Sequence, residues 1–139
     1  MKHIHFDTES DGFYGAYWEC RSGSDCTVIA MLGDDPEDHM ARSAVKWLLR
    51  LGVNVLTMSP AKKDYSHHNY PLECIEKAIA WLKSHGSAKI GIAGASTTGT
   101  LALTAASIFD DISLTVAMTP SDFVWQGFMQ GKKDGCKEW

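Results

Sequence analysis

Apolar and polar positions along the chain alternate between two periods. Residues 26–32 (CTVIAML), 53–58 (VNVLTM), 89–93 (KIGIA) and 113–118 (SLTVAM) are short apolar runs, as expected of strands covered on both faces. Residues 13–18 (FYGAYW) are aromatic and strand-like. Between the runs lie helical patterns. Ala41, Ala44, Val45, Leu48 and Leu51 fall on one face of the first, with Asp35 as its cap, Pro36 in its first turn and Asp38 where a capping-box acid stands; Gly52 ends it. Pro71 opens a second, with Leu72, Ile75, Ile79 and Leu82 on one face, and Gly86 closes it. A third helix is expected over residues 97–108. Strand–helix repetition with apolar strands predicts an α/β fold, a doubly wound and mostly parallel sheet between helices. After Thr119 the chain carries Trp125 and Phe128, then turns polar (GKKDGCKEW), with no further element expected.

Composition narrows the class. A length of 139 residues fits about one domain with a single core. The formal net charge of -4 argues against nucleic-acid binding, which favours a basic face. No window reaches the roughly 18 apolar residues that span a bilayer, and the N-terminus lacks the apolar stretch of a secretory signal. Cys20, Cys26, Cys74 and Cys136 form no CxxC pair and no metal-ligand spacing, so reduced thiols in a cytoplasmic protein are expected. His3-x-His5 lies on an N-terminus expected to fray and has no third ligand, so no metal is expected there, and no organic cofactor is expected either. His67 and His68 read as solvated loop residues, and Cys74 as a core residue.

The chemistry concentrates in GIAGASTTGT, residues 91–100. A serine on a tight turn between strand and helix is lifted above the sheet, where the N–H of the next residue and the helix N-terminus face a developing oxyanion. Gly94 and Ala95 supply the small residues such a turn needs before Ser96. Thr98 stands where G-x-S-x-G has its second glycine, and its β-branched side chain is expected to crowd the turn. The competing reading is a glycine loop in which Ser96 only caps the helix.

The longer stretch from Tyr70 to Phe128, with PLE opening a helix, AIAWLKSH closing it, the serine turn, and TPSDFVWQGF after the next strand, resembles the acyl-CoA thioesterase and bile-acid-CoA:amino acid N-acyltransferase family of α/β-hydrolases. The resemblance extends with falling specificity to residue 13, placing CTVIAMLGDDPED at the family's apolar strand and oxyanion loop. It implies that Ser96 is the nucleophile on an acyl-CoA or other acyl ester, that the Thr97 N–H is one oxyanion donor, and that an N–H at Asp34 is the second. Asp34 would also put a negative charge beside that oxyanion.

In this fold the triad runs Ser, acid, His along the chain. All six histidines precede Ser96 here, and Asp110 and Asp111 are expected on the side away from it. The chain is therefore expected to be the N-terminal part of one hydrolase domain (residues 1–139), incomplete, without the last strands and ending in the insertion after strand 113–118. Its expected partner is the C-terminal remainder as a separate chain, or a second copy. Two other readings stay open: a non-catalytic module binding an acyl or CoA-like ligand or a protein, and a flavodoxin-like binding domain. The acidic GDDPED loop argues against the latter, which would need a phosphate cradle there.

Overall fold

The computed structural model of the chain describes residues 3–59 and 70–124. His67, His68, Trp125, Phe128, Cys136 and the GKKDGCKEW tail lie outside the described residues. Six strands and three helices follow in the order β1 (His3–Phe6), β2 (Gly15–Trp18), β3 (Cys26–Met31), α1 (His39–Arg50), β4 (Asn54–Met58), α2 (Glu73–Ser84), β5 (Lys89–Ala95), α3 (Thr97–Ile108) and β6 (Ile112–Met118). They form one sheet in the order β1-β2-β4-β3-β5-β6. β4, β3, β5 and β6 run parallel, while β2 pairs antiparallel with both β1 and β4.

The period-2 alternation of the strands divides the core. Ile29, Met31, Leu56, Met58, Ile90 and Ile92 point to the face covered by Ile75, Ile79 and Leu82 of α2 and by Ala102 and Ala105 of α3. Ala30, Val55, Ala16 and Trp18 point to the other face, against Val45 and Leu48 of α1. The doubly wound sheet expected from the sequence is thus present. Both faces are covered near β3 and β4, but not at β6, where Leu114 is 60% exposed.

Three local expectations need correction. Residues 3–6 form a strand, not a frayed end: β1 completes the backbone pairing of β2, with His3 opposite Trp18 and His5 opposite Ala16. Asp38, not Asp35, caps α1, its carboxylate accepting the Ala41 N–H at 2.8 Å. Asp35 instead accepts the Glu37 N–H at 2.8 Å and the Tyr14 hydroxyl at 2.9 Å, so it closes a turn ahead of the helix. Leu51 lies beyond the last turn and is 61% exposed, because Gly52, with φ of 81°, turns the chain left-handed there. Among the described residues, no helix is long and apolar enough to cross a membrane.

Candidate active site

Two strand-to-helix junctions meet at the C-terminal edge of the parallel sheet. β3 leads through residues 32–38 into α1, and adjacent β5 leads through Ser96 into α3. Gly33, Asp34, Asp38 and Met40 from the first, with Ser96, Thr97 and Thr98 from the second, line one cleft of ≈ 400 Å³. The structure therefore brings together all three residues that the sequence nominates: Ser96, Thr97 and Asp34.

Ser96 has φ 53° and ψ -120°. A non-glycine residue at positive φ and outside the left-handed helical well carries about 1–3 kcal/mol of strain, which the surroundings must enforce. They do so from both sides. The Ser96 N–H donates to the Met118 carbonyl of β6 at 2.8 Å, and its own carbonyl accepts the Thr100 N–H at 3.1 Å, the first bond of α3. Gly94 lets the turn close: a Cβ there would run into the Thr98 carbonyl. Gly99 has the Met118 carbonyl 3.1 Å from where its own Cβ would stand. The Ser96 side chain makes no capping bond to α3, and the residue is exposed. Ser96 lines the cleft, and Thr97 opens the helix, where N–H groups have no intrahelical acceptor.

Thr98 does not crowd this turn. It is 5% exposed, and its hydroxyl accepts the Ala95 N–H at 2.9 Å while donating to the Met31 carbonyl at 2.6 Å. The Ala95 carbonyl, at 2.9 Å, is a second acceptor within reach. Where the motif has glycine, this chain has a side chain that ties the serine turn to the end of β3.

The first junction is organised by Asp38. Its carboxylate collects the N–H groups of Asp34 (2.8 Å), Asp35 (3.3 Å) and Ala41 (2.8 Å). Partial burial pushes this carboxyl up, but backbone N–H bonds from Ala41, Asp35, Asp34 and Met40 outweigh it and hold it below the usual carboxylate value. Gly33, at φ 122°, allows the approach, since a Cβ there would overlap the Asp38 carboxylate. The consequence for Asp34 is direct: the N–H assigned by resemblance to an oxyanion is held by Asp38. The Asp34 carbonyl is fixed too, accepting the Ser59 hydroxyl at 2.6 Å. Sequence reasoning placed Asp38 only in a helix cap; the paired need for glycine at 33 and a carboxylate at 38 becomes visible only once the loop is folded.

No hydrogen bond joins a histidine to the Ser96 hydroxyl among the described residues. His85 stacks on Trp81 at 3.7 Å, at the end of α2 that leads into the start of β5, away from the serine. Asp111 precedes β6 at that same end and pairs with Lys83 at 2.6 Å. Cys20, Cys26 and Cys74 form no disulfide among the described residues and lie outside the cleft lining.

Comparison with known proteins agrees with this geometry. Residues 70–137 match the family described as BAAT / Acyl-CoA thioester hydrolase C terminal. Among solved structures, an esterase of Pyrococcus furiosus is similar at 26% identity and a TM-score of 0.64, over 86% of this chain and 48% of that one. Est1E from Butyrivibrio proteoclasticus is similar at 19% identity and a TM-score of 0.65, over 86% of this chain and 51% of that one. The same protein with ferulic acid bound gives 20%, 0.63, 84% and 52%. This chain thus spans about half the length of these structures. No curated protein matches it. Residues 70–137 are thus similar to the BAAT / acyl-CoA thioester hydrolase C-terminal family, and the fold of the chain is that of the α/β-hydrolases.

Proposed function

We propose that the cleft belongs to a serine hydrolase of the acyl-CoA thioesterase type, with Ser96 as nucleophile. One observation carries the reading: Ser96 is held at φ 53° and ψ -120° with an exposed hydroxyl that caps nothing. A serine needed only as a cap would adopt relaxed extended backbone and turn its oxygen inward. In the proposed reaction the Ser96 Oγ attacks the thioester carbonyl carbon as a base takes its proton. The oxyanion is received by the Thr97 N–H at the positive end of α3. Collapse expels the thiolate, which takes up the proton from the base, and leaves an acyl-serine for water or an amine to open. In this fold the base is a histidine that follows the serine and an acid along the chain. Cysteines that form no disulfide among the described residues fit a cytoplasmic setting.

A second reading is favoured by one specific contact. The hold of Asp38 on the Asp34 N–H, at 2.8 Å, removes a donor that an oxyanion would need. A protein that keeps this contact would bind an acyl or CoA-like ligand without turning it over. Acyl-CoA hydrolysis by the whole hydrolase domain, with Ser96→Ala beside it, separates the two. Thiol release that Ser96→Ala abolishes supports the nucleophile, whereas saturable acyl-CoA binding without release supports the binding module.

A further inference from the structure

His3 and His5 lie two residues apart on β1 and therefore project to one face of the sheet. The register sets them opposite Trp18 and Ala16, whose side chains belong to the core on the α1 side. Glu37 stands on that side, one residue before the cap of α1. The fold closes the three into a cluster: His3 Nε2 is 2.7 Å from Glu37 Oε1, His5 Nε2 is 3.1 Å from Glu37 Oε2, and the two Nε2 atoms are 2.9 Å apart. The missing third ligand of the sequence reading is Glu37, 32 residues downstream of His5 by subtraction of positions.

From this convergence we propose that His3, His5 and Glu37 form a binding site for a divalent transition-metal ion of the zinc class. Three donors, two imidazole nitrogens and one carboxylate oxygen, lie within 4.8 Å of one another. Ligands of a tetrahedral zinc sit about 2.0–2.2 Å from the ion, which puts neighbouring donors roughly 3.3 Å apart. The nitrogens are 2.9 Å apart and each lies against a different Glu37 oxygen, at 2.7 and 3.1 Å, so an opening of a few tenths of an ångström and a turn of the carboxylate bring both nitrogens and one oxygen to a common ion. Two nitrogens and one oxygen with a fourth position left for water suit zinc, and cobalt or nickel less tightly or equally, but not calcium or magnesium.

The surroundings hold the ligands in place. The His3 ring stacks on Trp18 at 4.1 Å and 22°, which fixes its plane. Its side chain and that of Glu37 are only 21% and 22% exposed, whereas His5, at 61%, is the open side of the site. The Tyr14 phenol nearby is pushed up by its hydrogen bond to Asp35, by burial, and by the carboxylates of Asp35, Glu37 and Asp7. That locally negative setting favours a cation. Arg42 opposes it: its Nη2 is 3.5 Å from Glu37 Oε1, although its Nε is anchored on the Glu37 carbonyl at 2.7 Å. An ion here would clamp the edge strand β1 to the loop between β3 and α1. That loop lines the Ser96 cleft, so the ion would brace it from outside without touching the reacting atoms.

Chain purified without a polyhistidine tag and stripped of metal should take up one equivalent of Zn²⁺ in calorimetric titration. His3→Ala, His5→Ala and Glu37→Gln should each weaken that binding at least about tenfold. Zn²⁺ should raise the melting midpoint of the parent chain and leave that of His5→Ala unchanged. Co²⁺ should give the intense visible bands of a four-coordinate site. Exposed His5 serves as the folding control, since its metal-free variant should melt as the parent does. Absence of saturable binding, or binding that survives the double change His3→Ala/His5→Ala because thiols hold the ion, overturns the proposal.

Discussion

The two junctions at the C-terminal edge of the sheet solve one problem in opposite ways. Each must turn a parallel strand into a helix and deal with free N–H groups at the helix start. After β3 the chain uses an internal anion: the Asp38 carboxylate gathers three backbone N–H groups and leaves none of those three for a ligand. After β5 it uses a strained backbone: Ser96 stands at φ 53° and is exposed, and α3 starts without a side-chain cap. One junction is self-satisfied and the other is left open towards the cleft. In the proposed reaction that contrast puts the reactive side of the cleft at Ser96 and Thr97 and makes the loop opposite the part that must yield before a second donor is available.

Breaking the open junction should have the largest effect. Gly94→Ala forces a Cβ into the Thr98 carbonyl, with only backbone to move, and should cost about 3 kcal/mol in chemical denaturation. A variant with an unchanged midpoint would mean that the turn is looser than its strain implies.

Next comes the link between the junctions. Thr98→Val keeps the shape but orphans the buried Ala95 N–H and Met31 carbonyl, for an expected loss of about 2 kcal/mol. Thr98→Ser should recover most of it. If valine and serine behave alike, the hydroxyl bonds contribute nothing and Thr98 acts by volume alone.

The self-satisfied junction should respond to pH. The folded Asp38 carboxyl lies below the unfolded value of about 3.9, so its contribution is complete above that value. It is lost as the pH falls through the lower, folded value. Asp38→Asn should remove about 1 kcal/mol at neutral pH and flatten that acid limb. An acid limb of unaltered size in Asp38→Asn would assign the effect to other carboxylates.

The smallest effect on folding is expected at the far side of the sheet. Leu114, Val116 and Met118 of β6 are 60%, 46% and 43% exposed, and β6 is the last strand of the described sheet. An apolar edge of this kind favours pairing with another strand. Leu114→Lys should change stability by less than about 0.5 kcal/mol while shifting the sedimentation profile towards monomer. A parent chain that sediments as a monomer at all concentrations contradicts pairing with a second copy.

Much of the frame was legible in the sequence because it rests on periodicity. The apolar runs that become β3, β4 and β5 are covered on both faces, and the stripe Ala41, Val45 and Leu48 is buried as a helical face demands. Gly52 and Gly86 stop their helices at positive φ. What escaped depends on contacts distant in the chain. HIHF is too short and too rich in histidine to show a strand period, and it becomes one only by pairing with β2. The motif pattern marks Thr98 as a missing glycine, yet its hydroxyl finds partners at Ala95 and at Met31, the latter 67 residues away. Glu37 becomes a neighbour of His3 and His5 only when β1 lies beside the loop that carries it.

The most direct test of the account is covalent labelling of the chain by a fluorophosphonate, with and without free imidazole as an added base. Labelling should be slow alone, accelerate with imidazole, map to the peptide carrying Ser96, and vanish in Ser96→Ala. Label spread over several serines, indifferent to imidazole and unchanged in Ser96→Ala, would contradict the assignment of Ser96 as the nucleophile.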